Sequence, residues 1–192
     1  MDCFFTQYKK ILFRDYMAKL RKAKAYRRIE RPYTRKSKYR AKNFVRASPN
    51  NLIVKYEMGN TKREFPVVIE LVSDATLQIR HNALEASRKT SNRFLETKLG
   101  RANYRLAFRV FPHHILRENP LASGAGADRM STGMKMSFGK PIGIAAQVNK
   151  GKTILDVAVE PQNVERAKIA LKRAASKYPC SCRLVVRENK RV

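Results

Sequence analysis

The sequence predicts an α+β fold: a mixed β-sheet sandwich with two main helices packed on one face, plus a basic N-terminal arm and a long protruding loop. Three observations predict it. Short apolar or alternating segments recur between 52 and 187, as strands require. Two longer stretches, 74–99 and 161–178, repeat apolar or small residues at helical spacing. Connections between these segments are short except over 112–141, which suits one layered domain carrying one excursion. Residues 49–192 are read as the globular domain, 17–48 as the arm, and 1–16 as an extension ahead of both.

The elements follow in order. "LIVKYEM" (52–58) and "FPVVIELV" (65–72) read as strands joined by a turn at Gly59-Asn60. Ser73 suits an N-cap, with Asp74 favourable in the first turn of a helix running to Leu99. Leu77, Leu84, Phe94 and Leu95 fall near one face of that helix. Ala83, Ser87 and Ser91 fill its middle, and Gly100 ends it. "NYRLAFRVF" (103–111) alternates, with Arg105 and Arg109 opposite Tyr104, Leu106, Phe108 and Val110. "IGIAAQV" (142–148) and "TILDVAV" (153–159) are two further strands joined by a turn with Gly151. Pro161 opens a second helix in which Val164, Ala167, Leu171, Ala174 and Tyr178 recur at helical spacing. Pro179 stops it, and "CRLVVR" (182–187) is the last strand.

Charge sets the class of partner. The 192 residues hold 42 Lys and Arg against 15 Asp and Glu, a formal charge of +27. Self-repulsion of that size disfavours a compact state unless a polyanion offsets it, and nucleic acid rewards many cations at once through counterion release. An anionic membrane is the rival polyanion. No stretch approaches the roughly 20 apolar residues of a membrane span, and no strongly amphipathic basic helix stands apart from a core, so no membrane partner is expected. The first residues lack the apolar core and small-residue cleavage site of a signal peptide, and a cytoplasmic location is expected. Cys3, Cys180 and Cys182 make no disulfide framework. A Cys180–Cys182 bridge is not expected, and one C-x-C pair alone is a poor zinc site.

The arm concentrates that charge. From Met17 to Arg46 there are 13 basic residues and one acid, Glu30, interleaved with Tyr26, Tyr33, Tyr39 and Phe44. "RPYTRKSKYRAKNFVR" (31–46) has no apolar period and cannot order itself by burial in water. Aromatic rings among cations suit stacking on bases and riboses, which favours RNA over a merely solvated tail. The candidate RNA-binding residues here are Lys19, Arg21, Lys22, Arg27, Arg28, Arg31, Tyr33, Arg35, Lys36, Lys38, Arg40 and Lys42.

The segment "GAGADRMSTGMKMSFGKP" (124–141) invites two readings, a phosphate-cradling loop or a finger for a crowded place. A nucleotide P-loop needs four residues between its glycines and a hydroxyl after the lysine. Here five separate Gly133 from Gly139-Lys140, and Pro141 stands in the hydroxyl's place. "GAGAD" lacks the third glycine of a dinucleotide fingerprint and the helix that should follow. Adjacent His113 and His114 cannot both face one metal in an extended chain, and no third ligand is spaced to help. Glu118 and Asp128 flank the loop without forming a recognisable acid pair. No catalytic residue, metal or cofactor is expected. The finger reading remains: glycines give backbone freedom, methionines give pliable contacts, and spaced cations can each meet a phosphate. Its candidate residues are His113, His114, Arg117, Gly124, Gly126, Arg129, Met130, Met134, Lys135 and Lys140.

"PHHILRENPLASGAGADRMSTGMKMSFGKPIG" (112–143), "RPYTRKSK" (31–38) and "LQIRHNALEASRKTSNRFL" (77–95) closely resemble one family. It is the universal large-subunit ribosomal protein numbered sixteen in bacteria and ten-e in archaea and eukaryotes. The likeness spans about Met17 to Arg187. "ENP" before the loop, few cysteines and a short C-terminus look like the archaeal branch. The resemblance implies a non-enzymatic domain docked on 23S-type rRNA near the central protuberance and 5S rRNA, beside other large-subunit proteins. It also implies a loop, here His113 to Lys140, directed toward the peptidyl-transferase region and tRNA. Residues Met1–Tyr16 match nothing in that family.

The expectation is therefore a structural rRNA-binding protein whose arm and exposed helix faces neutralise phosphate. Two readings from other classes stay open on sequence alone. One is an RNA-modifying enzyme using the glycine loop for a nucleotide-containing cofactor, and the other is a nucleic-acid packaging protein acting away from ribosomes.

Overall fold

A computed structural model describes residues 21–29, 49–119 and 139–189. In chain order the elements are β1 (Glu57–Gly59), β2 (Val67–Ser73), β3 (Leu77–Arg80), α1 (His81–Leu99), β4 (Tyr104–Phe108), β5 (His114–Glu118), β6 (Lys140–Val148), β7 (Thr153–Val159), α2 (Val164–Ala175) and β8 (Cys182–Glu188). The α+β class holds, but the single mixed sheet does not. The strands form two sheets, ordered β1-β4-β7-β2-β8 and β3-β6-β5, and every pairing is antiparallel.

One core joins both sheets to the helices. Ile69 and Leu71 of β2, Leu155 and Val157 of β7, and Tyr104 and Leu106 of β4 turn their side chains to the same interior. Leu84 and Leu95 of α1 and Ala167, Ala170, Leu171 and Ala174 of α2 meet them there. The alanines let α2 lie close to its neighbours, since a helix approaches as near as its facing side chains allow. The small residues of α1 serve the same purpose: Ser87 and Ser91 are fully buried, and Ser87 Oγ lies 2.7 Å from the buried Tyr178 hydroxyl. Burial pushes the Tyr178 phenol well above its ordinary range, so it stays neutral and tied between the helices.

Four expectations need correction. The segments 52–58 and 65–72 do not form a hairpin: β1 pairs with β4, while β2 lies between β7 and β8. Gly59 holds φ +86°, and a Cβ there would sit 2.2 Å from the Tyr104 carbonyl oxygen, so the glycine serves a close approach to β4. Ser73 is not a helix cap. It ends β2, fully buried, and its hydroxyl donates to the Ala75 carbonyl at 2.7 Å. The helix starts only at His81, because "LQIR" forms β3 first, with Leu77 and Ile79 in the core. Leu77 and Leu84 are seven residues apart, a spacing that fits two helical turns equally well. Gly100 does close α1 as expected, at φ +76° with its N–H on the Glu96 carbonyl at 3.1 Å.

The fourth correction concerns the start of the long loop. His114–Glu118 is a strand, paired with Lys140–Ala145 of β6. The register slips between Leu116 and Arg117, where Pro141 enters β6 and Ile142 is the extra residue. Proline cannot donate to a ladder, and a bulge on a stretch with one neighbouring strand accommodates it. Residues 120–138 of the loop fall outside the described part.

Candidate nucleic-acid interface

The described part of the arm lies on the three-stranded sheet. The Arg27 carbonyl accepts from the Gln78 backbone N–H at 3.0 Å, and the Arg28 carbonyl accepts from the Gln78 side chain. Arg80 donates to the Arg21 carbonyl at 2.9 Å and stacks over the Tyr26 ring at 5.8 Å. Tyr26 donates its hydroxyl to Glu118 at 2.8 Å, and Arg21 forms an ion pair with the same carboxylate. Burial and the Glu118 hydrogen bond both raise the Tyr26 pKa, so this donor stays protonated. Lys22, Lys24, Arg27 and Arg28 remain exposed on the outside of the docked segment.

Glu118 is thus a joint. It is the last residue of β5 and pairs in register with Lys140, where the chain returns from the loop. The return is tight: a Cβ on Gly139 would come within 2.8 Å of the Glu118 nitrogen. One carboxylate therefore binds an arm residue 92 positions away at the root of the glycine-rich segment.

Of the sequence-predicted arm residues, Arg21, Lys22, Arg27 and Arg28 are described. Lys19, Arg31, Tyr33, Arg35, Lys36, Lys38, Arg40 and Lys42 lie outside the described residues, as do Gly124, Gly126, Arg129, Met130, Met134 and Lys135 of the loop. Lys140 is the first residue of β6, and Arg117 is half-buried in β5. His113 is exposed and packs its ring 4.4 Å from Phe111, which stacks on Tyr56 at 5.2 Å. His114 departs from expectation: strand formation turns it inward, leaving it 3% exposed, so its side chain faces the interior instead of RNA.

Two further surfaces carry clustered cations. Between the helices runs an open groove lined by Lys89, Arg93 and Lys98 of α1 and Arg173 of α2, with Phe94, Thr90 and Thr97 and no acid. Arg173 sits over the Phe94 ring at 4.3 Å. Lys89 also lies 3.6 Å from Glu85 behind the groove, a carboxylate that Arg88 already engages through both oxygens. On the open face of the five-stranded sheet, Arg63, Arg105, Arg109 and Arg187 are interspersed with Glu64, Glu70, Asp156 and Glu188. Registers place Glu57, Ala107, Asp156 and Glu70 in one row across four strands. Each acid of that row takes an arginine: Glu57 takes Arg105 at 3.1 Å, Asp156 takes both nitrogens of Arg109 at 2.9 and 2.7 Å, and Glu70 takes Arg187 at 3.4 Å. The Asp156 hydrogen bond, then the charges of Asp156, Glu57 and Glu70, hold the Arg109 pKa above its usual value against burial.

Sequence reasoning did not foresee that Glu118, Gln78 and Arg80 fasten the arm, and, although it expected exposed helix faces to meet phosphate, it singled out no groove residue as an RNA contact. A lone acid at the edge of a glycine-rich segment in so basic a chain was the available signal for the first. Exposed cations at 89, 93 and 173 on two amphipathic helices were the signal for the groove.

Comparison with known proteins follows the same direction. The sequence pattern of the family described as ribosomal protein L16p/L10e matches residues 21–185. Large ribosomal subunit protein uL16 of Methanococcus maripaludis strain S2 is 49% identical over 172 residues, covering 89% of this chain and 96% of that protein. The uL16 protein of Archaeoglobus fulgidus is 46% identical over 164 residues, covering 85% and 91%. That of Thermofilum pendens is 45% identical over 170 residues, covering 88% and 98%.

Proposed function

From the premise that the chain belongs to the ribosomal protein L16p/L10e family, in its archaeal-like branch, and is a structural, non-enzymatic constituent of the large ribosomal subunit in the cytoplasm, we propose how it works there. It docks on 23S-type rRNA near the central protuberance and 5S rRNA, beside neighbouring large-subunit proteins, and helps position tRNA at the aminoacyl site and peptidyl-transferase region. The observation that carries this reading is the joint at Glu118. It ties the basic arm to the root of the loop, so phosphate-binding cations and the finger start from one place.

Within this reading the arm supplies most of the affinity. Lys22, Arg27 and Arg28, with the cations from Arg31 to Lys42, meet phosphates and carry no sequence information, while Arg21 is engaged by Glu118. Tyr33 stacks on a base or ribose. The groove between α1 and α2 is a second phosphate-binding surface, because its four cations face no acid of the groove wall. Arg117, Arg129, Lys135 and Lys140 guide the loop along RNA, and Gly124 and Gly126 let it bend in a narrow space. Met130 and Met134 give adaptable apolar contacts.

Crosslinking of the chain inside intact large subunits, followed by mapping of the modified nucleotides, tests the placement. Adducts on 23S-type rRNA bordering 5S rRNA are expected; adducts confined to a distant domain would overturn it. Replacing Arg129 and Lys135 together by Gln should impair tRNA binding or subunit maturation while the isolated chain folds normally. Equal loss of folding would make the loop a scaffold instead.

A further inference from the structure

Cys180 and Cys182 bracket Ser181 where the turn after α2 enters β8. Their Sγ atoms lie 3.6 Å apart, and both thiols are free and partly exposed. Sequence alone gives no expectation of a Cys180–Cys182 bridge, yet the bend at 178–180 brings the two thiols together at the start of β8. Cys180 Sγ also lies 3.8 Å from the Ser73 hydroxyl, Cys182 pairs in register with Ser73, and the Asp74 N–H donates to the Ser181 carbonyl at 3.2 Å. The pair is thus held against the end of β2 rather than hanging free.

The surroundings favour one thiolate beside one thiol. Contact with the Cys182 thiol, then with the Ser73 hydroxyl, brings Cys180 down to about 7, with the Arg27 cation assisting and burial and Asp74 opposing. Cys182 is driven the other way, by its hydrogen bond with Cys180 first, then by burial and by the negative charges of Cys180 and Asp74. No group of three or more His, Cys, Asp or Glu able to hold a metal occurs among the described residues, so the pair does not extend to a tetrahedral site.

We propose that Cys180 and Cys182 are a redox-active vicinal dithiol that closes reversibly to an intrachain disulfide on meeting a low-molecular-weight disulfide. The Cys180 thiolate attacks one sulfur of the incoming disulfide, whose S–S bond breaks and releases one thiolate that takes a proton from water. Cys182 gives its proton to solvent and attacks Cys180 Sγ, forming the protein disulfide and expelling the second small thiolate. From the thiolate–thiol pair the protein loses two electrons and one proton, and the small disulfide becomes one thiol and one thiolate, which solvent protonates. The two Sγ atoms, 3.6 Å apart, close to a bond by a small movement at the bend that precedes β8. In a reducing compartment the resting state is the dithiol.

The test uses the full chain carrying Cys3→Ser, exposed to glutathione disulfide, alkylated and analysed by mass spectrometry. The tryptic peptide 178–183 holds both residues. Loss of two hydrogen masses from that peptide, with both thiols protected from alkylation and recovered by dithiothreitol, is expected. Adding Cys182→Ser should arrest the reaction as a glutathione adduct on Cys180. Adding Cys180→Ser should slow it about tenfold, as the lower-pKa thiolate is gone. A stable glutathione adduct in the chain that keeps both cysteines, thiols still alkylated after prolonged exposure, or an undiminished rate without Cys180 would each overturn the proposal. Circular dichroism of the serine variants confirms that they fold.

Discussion

The helical groove and the open face of the five-stranded sheet each carry four cations, yet they do different things with them. In the groove, Lys89, Arg93, Lys98 and Arg173 line a wall that holds no acid. On the sheet, four arginines alternate with four acids, and the row of Glu57, Asp156 and Glu70 consumes three of the arginines in cross-strand pairs. Charge count alone therefore does not locate an RNA surface. A cation already satisfied by a carboxylate gains little from phosphate, because the partner it would leave behind becomes the unpaired group. The sheet uses arginine to link neighbouring strands, whereas in the groove only Lys89 lies near a carboxylate, Glu85 at 3.6 Å, and that acid is outside the groove lining.

The largest expected effect separates the two surfaces directly. Changing Lys89, Arg93 and Arg173 together to Gln should weaken binding to large-subunit rRNA by on the order of a hundredfold at low salt. It should also flatten the salt dependence by up to about 2.7 in log–log slope, at roughly 0.9 for each phosphate no longer neutralised. Changing Arg105, Arg109 and Arg187 to Gln removes the same charge but should leave that slope almost unchanged and lower the melting temperature instead. Equal slopes in the two triple variants would erase the distinction and return the binding to net charge alone.

The sheet side can be probed by a smaller change. Asp156 is 6% exposed and receives a bidentate arginine, so Asp156→Asn should cost about 1–2 kcal/mol of stability in denaturant unfolding. The cost stays modest because the Arg109 side chain is half-exposed and water takes up part of the loss. RNA affinity should not rise although a guanidinium is freed. A rise matching one added phosphate contact would place the sheet face within reach of RNA.

This contrast marks what the sequence could and could not reveal. Alternation in "NYRLAFRVF" located β4 and its buried face, and helical spacing located α2 with its alanines. Neither pattern says which strand lies beside which, so the sequence places Arg105 and Arg109 on the outer face of β4 without the acids of β1 and β7 that pair with them. β5 escaped notice because "PHHILREN" does not alternate, and it is a strand only because β6 returns alongside. The arm and loop were legible as chemistry, through cation density and the glycine–methionine composition. Their meeting at Glu118 was not, because 92 residues separate the partners and no local period records such a contact.

On the helical side, one ion pair inside the groove's own element tests whether α1 is held independently of RNA. Glu85 and Arg88 are both largely buried and share two contacts of 2.7 Å, and Arg88 holds the Glu85 carboxyl below its usual range, with burial opposing. A depressed folded pKa means the pair's contribution is fully present above the unfolded value near 4.5 and is lost as pH falls through the folded one. Glu85→Gln should therefore flatten the acid limb of the stability–pH curve below about 4.5 by roughly 0.5–1 kcal/mol, with little change in RNA binding at pH 7. An unaltered acid limb would show that the pair does not contribute to folding.

The smallest effect distinguishes charge from placement within the groove. Arg173 rests over Phe94 at 4.3 Å, an arrangement worth about 0.5–1 kcal/mol at an exposed site. The ring fixes where the guanidinium points before any phosphate arrives. Phe94→Leu keeps an apolar side chain against the core but removes the aromatic face, so Arg173 must be ordered at the moment of binding. RNA affinity should then fall about twofold to fourfold while the salt slope stays the same, since no cation has been removed. A drop in slope by about one would show that Arg173 reaches its phosphate only when the ring directs it there. The groove would then be a built site rather than a merely cationic surface, and the contrast with the sheet would sharpen further.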